Sequence, residues 1–383
     1  MIRVLIVDDS MVLREYLRGL FEEAGMEVVG VARHGQEAVE QVPVLRPDVV
    51  TMDISMPVMD GVEATRRIMR THPVPIVVVS AQHDREQVRK AFLAVDEGAL
   101  AVVQKPYGAG HPEHEASVRR LIEKVRLMAG VKVVRRFARP EPLAPPPATA
   151  IATERATGPV PEASRAPVRI AGARQAGRVE AVRVVAIGAS TGGPQAIQTV
   201  LRGLPAVLPV PVLVTQHITP GFTEGFAGWL QNTTGFPVRL ARNGEVLRAG
   251  QVYLAPDDTH LGVGPGDTVV LSQAPPLYGV RPAVAFLFRT VAEQYGAAAI
   301  GVILTGMGQD GAAELKLIKD RGGLTVGQDE ATCVVYGMPA AAQRLGALVQ
   351  VLPLDEIGPF LRRQLHTALR SPAGAGRPDP SKL

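Results

Sequence analysis

The sequence predicts two α/β domains, each built on a mostly parallel sheet. Short apolar, β-branched runs alternate with stretches in which apolar residues recur every three or four positions. This alternation occurs in residues 1–129 and again in residues 181–370. Strands that alternate with helices favour parallel pairing, because each helix provides the crossover that parallel strands need.

Five strands are predicted in the first domain, residues 1–129. They lie at Ile2–Val7, Val28–Ala32, Val49–Met52, Ile76–Val79 and Leu100–Val103. After the first strand, apolar residues from Leu13 to Ala24 follow helical spacing. This order predicts a doubly wound parallel sheet with helices on both faces.

Residues 130–180 form a predicted linker without a core. They are rich in proline, alanine and arginine and show no sustained period. Residues 131–180 carry nine basic and four acidic side chains, whereas the whole chain has a formal net charge of only +4. The positive charge therefore lies in the linker and not on a folded face, so no nucleic-acid partner is predicted.

The second domain, residues 181–370, repeats the alternation over a greater length. Its predicted strands are Val182–Ile187, Val212–Thr215, Val252–Ala255, Val269–Leu271 and Ala299–Leu304, with a helix at Pro282–Tyr295. They predict a second α/β, mostly parallel, three-layer domain. Residues 371–383 are rich in small residues and proline, which predicts a disordered tail.

Composition excludes several classes of protein. The single cysteine, Cys333, rules out an intramolecular disulfide and a cysteine-rich zinc site. No apolar run approaches the roughly 18 residues of a membrane span, so membrane insertion is not predicted. The apolar run at the N-terminus is too short for the core of a signal peptide, which predicts a cytoplasmic location.

Polar side chains stand at the predicted strand ends of the first domain: Asp8, Asp9, Asp53, Ser80 and Lys105. The carboxyl ends of parallel strands share one edge of a sheet, where ligands bind. Three carboxylates there would repel one another unless a divalent cation such as Mg²⁺ were present. Each residue alone could belong to an ordinary turn, but the five together predict a phosphoryl-accepting site with Asp53 as nucleophile.

This domain resembles the receiver domain of response regulators. The resemblance is carried by VDDS at Val7–Ser10, MDISMPVMDG at Met52–Gly61, VVVS at Val77–Ser80 and KP at Lys105–Pro106. It implies that a partner histidine kinase phosphorylates Asp53, that Asp8, Asp9 and Asp53 hold Mg²⁺, and that Ser80 and Lys105 act as switch residues. It also implies a cis peptide bond before Pro106, as is usual in that family.

A GxSxG motif follows the first strand of the second domain, at Gly188–Gly192. Its glycines allow a sharp turn from strand to helix that exposes Ser190 beside a helix N-terminus. The backbone N–H of Thr191 could then stabilise a developing oxyanion. A plain glycine turn and a phosphate-binding loop are alternatives, but no lysine follows the glycines and the spacing is not GxGxxG.

A serine nucleophile needs a base and an acid. His217 directly follows the strand VLVTQ, whereas His260 is a weaker candidate for the base. Asp310 follows the strand AIGVILT, although an aspartate there could also be a helix cap. Three polar groups at three strand ends predict a triad of Ser190, His217 and Asp310.

Six segments of the second domain together resemble the catalytic domain of the chemotaxis protein-glutamate methylesterases. They are GASTGGP, QHITPGFTEGFA, YLAPDDTHL, RPAVAFLF, ILTGMGQDGA and QDEATCVVYGMP, in this order within residues 187–339. The resemblance implies hydrolysis of γ-glutamyl methyl esters on chemoreceptors and deamidation of receptor glutamines, without a cofactor. It places the triad on Ser190, His217 and Asp310 and an oxyanion contact on the backbone of Met307.

The resemblance also implies regulation. In that family the unphosphorylated receiver covers the esterase cleft, and phosphorylation releases it. This chain departs from the family at Ala283 and Ala285, where the segment usually reads RPSVD, at Asp257, which is often glycine, and at Glu314, where a glycine is common.

Three alternative functions remain open at this point. A transcriptional regulator would need a basic helix-turn-helix after the linker, and no such helix is visible. A general α/β-hydrolase would use the chain order serine, acid, histidine, which Ser190, Asp310 and His366 could satisfy. A nonenzymatic scaffold would use the Ser190 loop only to bind a partner.

Overall fold

The computed structural model describes residues 1–81, 85–131, 133 and 181–370. The predicted tail, 371–383, and nearly all of the predicted linker lie outside the described residues. The domain limits at 129, 180 and 370 therefore stay predictions. Within the described ranges, no helix combines the length and the hydropathy that a membrane span requires.

The first domain is a five-stranded parallel sheet with the order β2-β1-β3-β4-β5. Its strands are β1 (Arg3–Val7), β2 (Glu27–Ala32), β3 (Val49–Met52), β4 (Ile76–Ser80) and β5 (Ala101–Gln104). Its helices are α1 (Met11–Glu23), α2 (Gly35–Leu45), α3 (Gly61–Thr71), α4 (Arg85–Asp96) and α5 (His114–Ala129). The predicted doubly wound sheet is confirmed, and each predicted strand lies within two residues of its observed bounds.

The second domain is built on a seven-stranded sheet in which all neighbouring strands are parallel, with the order β14-β13-β12-β6-β7-β9-β8. Its strands are β6 (Val184–Ala189), β7 (Val212–Gln216), β8 (Val238–Leu240), β9 (Val252–Leu254), β12 (Ala299–Ile303), β13 (Leu324–Gln328) and β14 (Gln350–Leu352). An antiparallel hairpin, β10 (His260–Gly264) and β11 (Thr268–Ser272), packs beside it. The predicted mostly parallel architecture is confirmed.

Helices cover both faces of this sheet. They are α6 (Gly193–Gly203), α7 (Thr223–Thr234), α8 (Val284–Tyr295), α9 (Ala312–Asp320), α10 (Met338–Arg344) and α11 (Leu354–Arg370), with a short 3₁₀ turn at Gly296–Ala298. In β6, Val185 and Ile187 pack on the side of α6, α7 and α11, whereas Val184 and Ala186 pack on the side of α8, α9 and α10. Burial on both faces explains why the strand reads as an unbroken apolar run.

The strand order places a crevice at the centre of the second sheet. The chain runs outward from β6 through β7 in one direction and from β12 through β13 in the other. Ligands of open α/β sheets bind at the carboxyl ends of the strands where the winding direction reverses. The loops that follow β6 and β12 are therefore the expected place for a functional site.

The two domains pack against each other beside this crevice. Helix α4 of the first domain lies against α7 and α6 of the second, and one continuous cluster of buried apolar residues runs through both domains. In that cluster the Phe92 ring lies 5.5 Å from the Phe226 ring and 5.7 Å from the Trp229 ring, centroid to centroid. The interface is therefore an extension of the hydrophobic core.

Candidate functional site

Ser190 lies on a tight turn between β6 and α6. The next residues reverse the chain, and Gly192 adopts a left-handed conformation with φ of 77°, a geometry that favours glycine. A Cβ at Gly188 would lie 2.2 Å from Val284 Cγ1, so the glycine there allows α8 to approach the turn. The GxSxG motif thus serves both the turn and the packing around it.

His217 follows β7 directly and lies beside Ser190. Ala189 pairs with Gln216 in the register of β6 and β7, so Ser190 and His217 occupy the next pair of positions. The Gln216 side chain adds a cross-link that sequence reasoning missed. Its Nε2 donates to the backbone oxygens of Ser190, at 2.7 Å, and of His217, at 2.8 Å, which ties the two turns together.

Asp310 lies in the loop after β12 and faces His217. Its Oδ2 is 2.8 Å from His217 Nε2. The same carboxylate accepts hydrogen bonds from the backbone N–H groups of Val284, at 2.7 Å, and Ala285, at 2.9 Å, at the start of α8. Asp310 is 3% exposed, so these donors replace the water that a charged carboxylate would otherwise bind.

A cleft of about 690 Å³ opens over these residues. Ser190, Thr191, His217 and Met307 line it, and Met307 is 63% exposed. The structure thus brings together the five residues that the sequence singled out in this domain, since Asp310 supports His217 from below the surface of the cleft. A hydroxyl beside an imidazole that is paired with a carboxylate can carry out acyl transfer.

The other two histidines of interest lie elsewhere. His260, the weaker candidate for the base, is fully buried with its Nδ1 on the backbone N–H of Ala283. His366 lies in α11, and its side chain is outside the described residues. The imidazole that pairs with Asp310 belongs to His217, which precedes Asp310 in the chain. In an α/β-hydrolase the histidine would follow the acid, so this pairing does not favour that alternative.

A second polar cluster lies at the carboxyl edge of the first sheet. Oxygen atoms of Asp8, Asp9 and Asp53 lie within 4.8 Å of one another. Lys105 Nζ is 2.9 Å from Asp8 Oδ2 and 3.2 Å from Asp53 Oδ1. Burial raises the pKa of Asp53 to about 6, an effect that Asp8 reinforces and Lys105 opposes.

Ser80 ends β4 at the same edge and is fully buried. The expectation of a cis peptide bond before Pro106 is wrong, because among the described residues the only cis bond precedes Pro282. Lys105 reaches the cluster nevertheless, since its long side chain can direct the ammonium group toward two carboxylates without that isomer.

The first domain covers one side of the cleft. Lys124 of α5 donates from Nζ to Thr191 Oγ1 at 2.9 Å, next to Ser190. Burial lowers the pKa of this lysine. Val102, Val103 and Leu127 of the same domain also line the cleft. Access to Ser190 is therefore limited by the position of the first domain.

A polar contact accompanies the aromatic cluster at the domain interface. Asp96, the last residue of α4, accepts a hydrogen bond from Trp229 Nε1 and another from Gln198 Nε2, both at 2.8 Å. Gln195 of α6 donates to the carbonyl oxygens of Val95 and, at 3.2 Å, Ala99. Sequence analysis did not find these residues, because an interface between domains leaves no periodic signal in either of them.

Comparison with known proteins also divides the chain into two domains. The CheB methylesterase family model matches residues 185–361, and the response regulator receiver domain model matches residues 4–114. A protein-glutamate methylesterase/protein-glutamine glutaminase of Nitrosospira multiformis is 46% identical over 94% of this chain and 96% of its own length. The chain belongs to the family of protein-glutamate methylesterases/protein-glutamine glutaminases. A family member of the same name from Geobacter metallireducens is also 46% identical, over 93% of this chain and 97% of its own.

Solved structures of the methylesterase family resemble each domain separately. The CheB methylesterase catalytic domain of Thermotoga maritima is 39% identical and covers 48% of this chain and 98% of its own length, with a TM-score of 0.46. The response regulator domain of Thermotoga maritima CheB is 37% identical and covers 34% of this chain and 98% of its own length, with a TM-score of 0.31.

Proposed function

We propose that this protein is a phosphorylation-activated hydrolase that removes methyl groups from γ-glutamyl methyl esters of chemoreceptors and deamidates specific receptor glutamines, in chemotaxis adaptation. The observation that carries the proposal is the 2.8 Å pair of His217 and Asp310 beside Ser190, at the central crevice of the sheet. The substrate class comes from the names of the relatives.

Acylation begins at Ser190. Its Oγ attacks the ester carbonyl, and His217 takes the serine proton and passes it to the departing methanol. Asp310 bonds Nε2 of the imidazole, which leaves Nδ1 for the serine proton. The carboxylate also offsets the positive charge that the imidazole gains. For a glutamine substrate the same steps release ammonia.

Deacylation reverses these roles. Water gives a proton to His217 and attacks the acyl-serine, which releases the glutamate side chain and restores the Ser190 hydroxyl. The negative charge on the tetrahedral intermediate is stabilised by the backbone N–H groups of Thr191 and Met307, two residues that line the cleft. No cofactor takes part in these steps.

The first domain serves as a receiver for phosphorylation by a chemotaxis histidine kinase, with Asp53 as the nucleophile. The close carboxylates of Asp8, Asp9 and Asp53 fit one divalent cation. Bound Mg²⁺ would supply charge neutralisation for the phosphoryl oxygens. Lys105 stabilises the developing charge, and the Ser80 hydroxyl donates a hydrogen bond to the new phosphoryl group.

Phosphorylation activates the esterase by releasing the receiver from the cleft. The tether holds the receiver at high effective concentration, so even a weak interface keeps the cleft covered. A phosphoryl group on Asp53 adds about −1.5 to −2 charges and favours a different receiver conformation. A change of a few kcal/mol in the free-energy difference between the docked and the free receiver is sufficient to open the cleft.

Methanol release from methylated chemoreceptors tests the proposal. The full chain is assayed with and without acetyl phosphate and Mg²⁺ as wild type, Ser190→Ala, Asp53→Ala and the matched control Ser272→Ala. Ser190→Ala should abolish turnover, whereas Asp53→Ala should keep the basal rate and lose stimulation. Methanol release by Ser190→Ala at the wild-type rate would contradict the assignment of the nucleophile.

The identity of the base has its own test. His217→Ala should reduce turnover by at least about 10³-fold, because the serine then lacks a proton acceptor. His366→Ala should retain wild-type turnover. The reverse result would identify the chain order of an α/β-hydrolase and contradict the proposed triad.

A further inference from the structure

His260 has no part in the steps above, although it is fully buried near the triad. Its ring stacks on Phe286 of α8 with the centroids 4.9 Å apart. The backbone N–H of Ala283 donates to His260 Nδ1 at 3.1 Å, and Nε2 lies 3.3 Å from the Pro275 oxygen. Since Nδ1 accepts a hydrogen bond, the ring proton is on Nε2 and points at that carbonyl.

The start of α8 depends on such contacts from outside the helix. Ala283 is the N-cap residue and offers no side-chain acceptor, although a polar side chain at this position usually stabilises a helix. The next two N–H groups, of Val284 and Ala285, both donate to Asp310. Three consecutive backbone N–H groups are therefore held by two side chains, His260 and Asp310.

We propose that His260 is a positioning residue of the esterase, which orients Asp310, and through it His217, by fixing the N–H of Ala283, the N-cap residue of α8. The proposal rests on the proposed function, since it concerns the same triad. When His260 holds the Ala283 N–H, the following two N–H groups aim at the carboxylate. Asp310 is then placed so that Oδ2 can accept from both Val284 and His217.

The chain offers a matched control on the same pair of elements. Thr290 Oγ1, further along α8, accepts a hydrogen bond from the backbone N–H of Val263 in β10 at 3.1 Å. This bond also ties β10 to α8, but it does not adjoin the N–H groups that hold Asp310. A variant at Thr290 therefore weakens the contact between these elements without disturbing the triad.

Two variants of His260 separate the effect of losing its hydrogen-bond acceptor from the effect of changing the size of its side chain. His260→Phe keeps an aromatic ring over Phe286 and removes the acceptor. His260→Asn loses the ring, but its amide oxygen can accept from the Ala283 N–H in place of Nδ1. Both are compared with Thr290→Val and wild type in the full chain, treated with acetyl phosphate and Mg²⁺ so that the cleft is open.

Three measurements apply to each variant: kcat and KM for methanol release from methylated receptor, the rate at which a fluorophosphonate probe labels Ser190, and the melting temperature. For His260→Phe we expect kcat and the labelling rate to fall about 10- to 100-fold, with KM nearly unchanged. His260→Asn should recover most of the loss. Thr290→Val should lower the melting temperature and leave kcat unchanged.

Three results would overturn the proposal. They are a wild-type labelling rate in His260→Phe, no recovery in His260→Asn, and a loss in Thr290→Val equal to that in His260→Phe, which would indicate general packing. If wild type labels at Ser190 but releases no methanol, the proposed substrate is wrong, and the labelling rates still test the role of His260.

Discussion

Two buried carboxylates, Asp53 and Asp310, are held in different ways. Asp310 accepts from two backbone N–H groups and from His217, so hydrogen-bond donors compensate its burial. Asp53 lies beside the carboxylate of Asp8, and Lys105 is shared between the two. The first arrangement is consistent with the proposed role of Asp310 in orienting His217, and the second with the proposed role of Asp53 as the nucleophile for a phosphoryl group.

The raised pKa of Asp53 predicts a stability effect without metal. The pKa rises from its ordinary 3.8 to about 6 on folding, so the folded receiver binds this proton more tightly than the unfolded chain. The resulting stabilisation is complete below the unfolded value and is lost as the pH rises through about 6. Ionised Asp53 therefore destabilises the receiver at neutral pH by up to about 3 kcal/mol.

Asp53→Asn should consequently stabilise the metal-free receiver at neutral pH. We expect the free energy of unfolding to rise relative to wild type above about pH 7, with the difference shrinking toward pH 4. Urea unfolding in EDTA across this range measures it, and excess Mg²⁺ should remove the difference by stabilising wild type. A difference that is independent of pH would contradict the role of Asp53 ionisation.

At the level of elements, the strands of the second domain show which strands a sequence pattern can predict and which it cannot. Four of the five predicted strands correspond to runs of buried residues in β6, β7, β9 and β12, whereas in β11 only Val269 is buried. The pattern missed β8 and β14, which have three residues each, and β13, which is interrupted by a glycine. It also missed β10, because His260 and two glycines do not resemble a strand until the hairpin with β11 buries them.

Helix α7 offers a precise test of autoinhibition, because it carries two glycines with different surroundings. A Cβ at Gly225 would lie 2.3 Å from Val88 Cγ1 of α4, whereas a Cβ at Gly228 would meet nothing within 4 Å. Both replacements by alanine favour the helix by about 1 kcal/mol. Only Gly225→Ala should push α4 away from α7.

We therefore expect Gly225→Ala to raise the esterase rate of the unphosphorylated full chain toward the phosphorylated rate. Gly228→Ala should behave as wild type in both states. The measurement is methanol release with and without acetyl phosphate and Mg²⁺. An unphosphorylated Gly225→Ala protein as slow as wild type would show that this contact does not restrain the enzyme.

Considered as a whole, the molecule joins its two domains through an interface that contains its single tryptophan. Trp229 is 3% exposed, stacks on Phe92 and donates to Asp96. Lys124 is partly buried between the domains, where it donates to a hydroxyl group. An ammonium group that docking places against a neutral hydroxyl weakens the docked state, because its partial desolvation is not fully compensated. Such an interface is consistent with the proposed release of the receiver.

Tryptophan emission should report this release directly. Acetyl phosphate and Mg²⁺ should shift the emission of the full chain to longer wavelength, because separation exposes Trp229 to water. Asp53→Ala should show no shift under the same conditions. An unchanged spectrum together with a stimulated esterase rate would show that activation occurs without separation of α4 from α7.

The sequence by itself determined the fold class of both domains and the residues that end their strands. These features are local, since burial on two faces and sharp glycine turns leave their pattern in adjacent residues. Only the tertiary structure decided which histidine faces Asp310, what His260 holds, and which helices cover the cleft. His217 and Asp310 are 93 residues apart, and their meeting depends on the order of strands in the sheet. Strand order arises from packing between distant segments, and no short stretch of sequence records it.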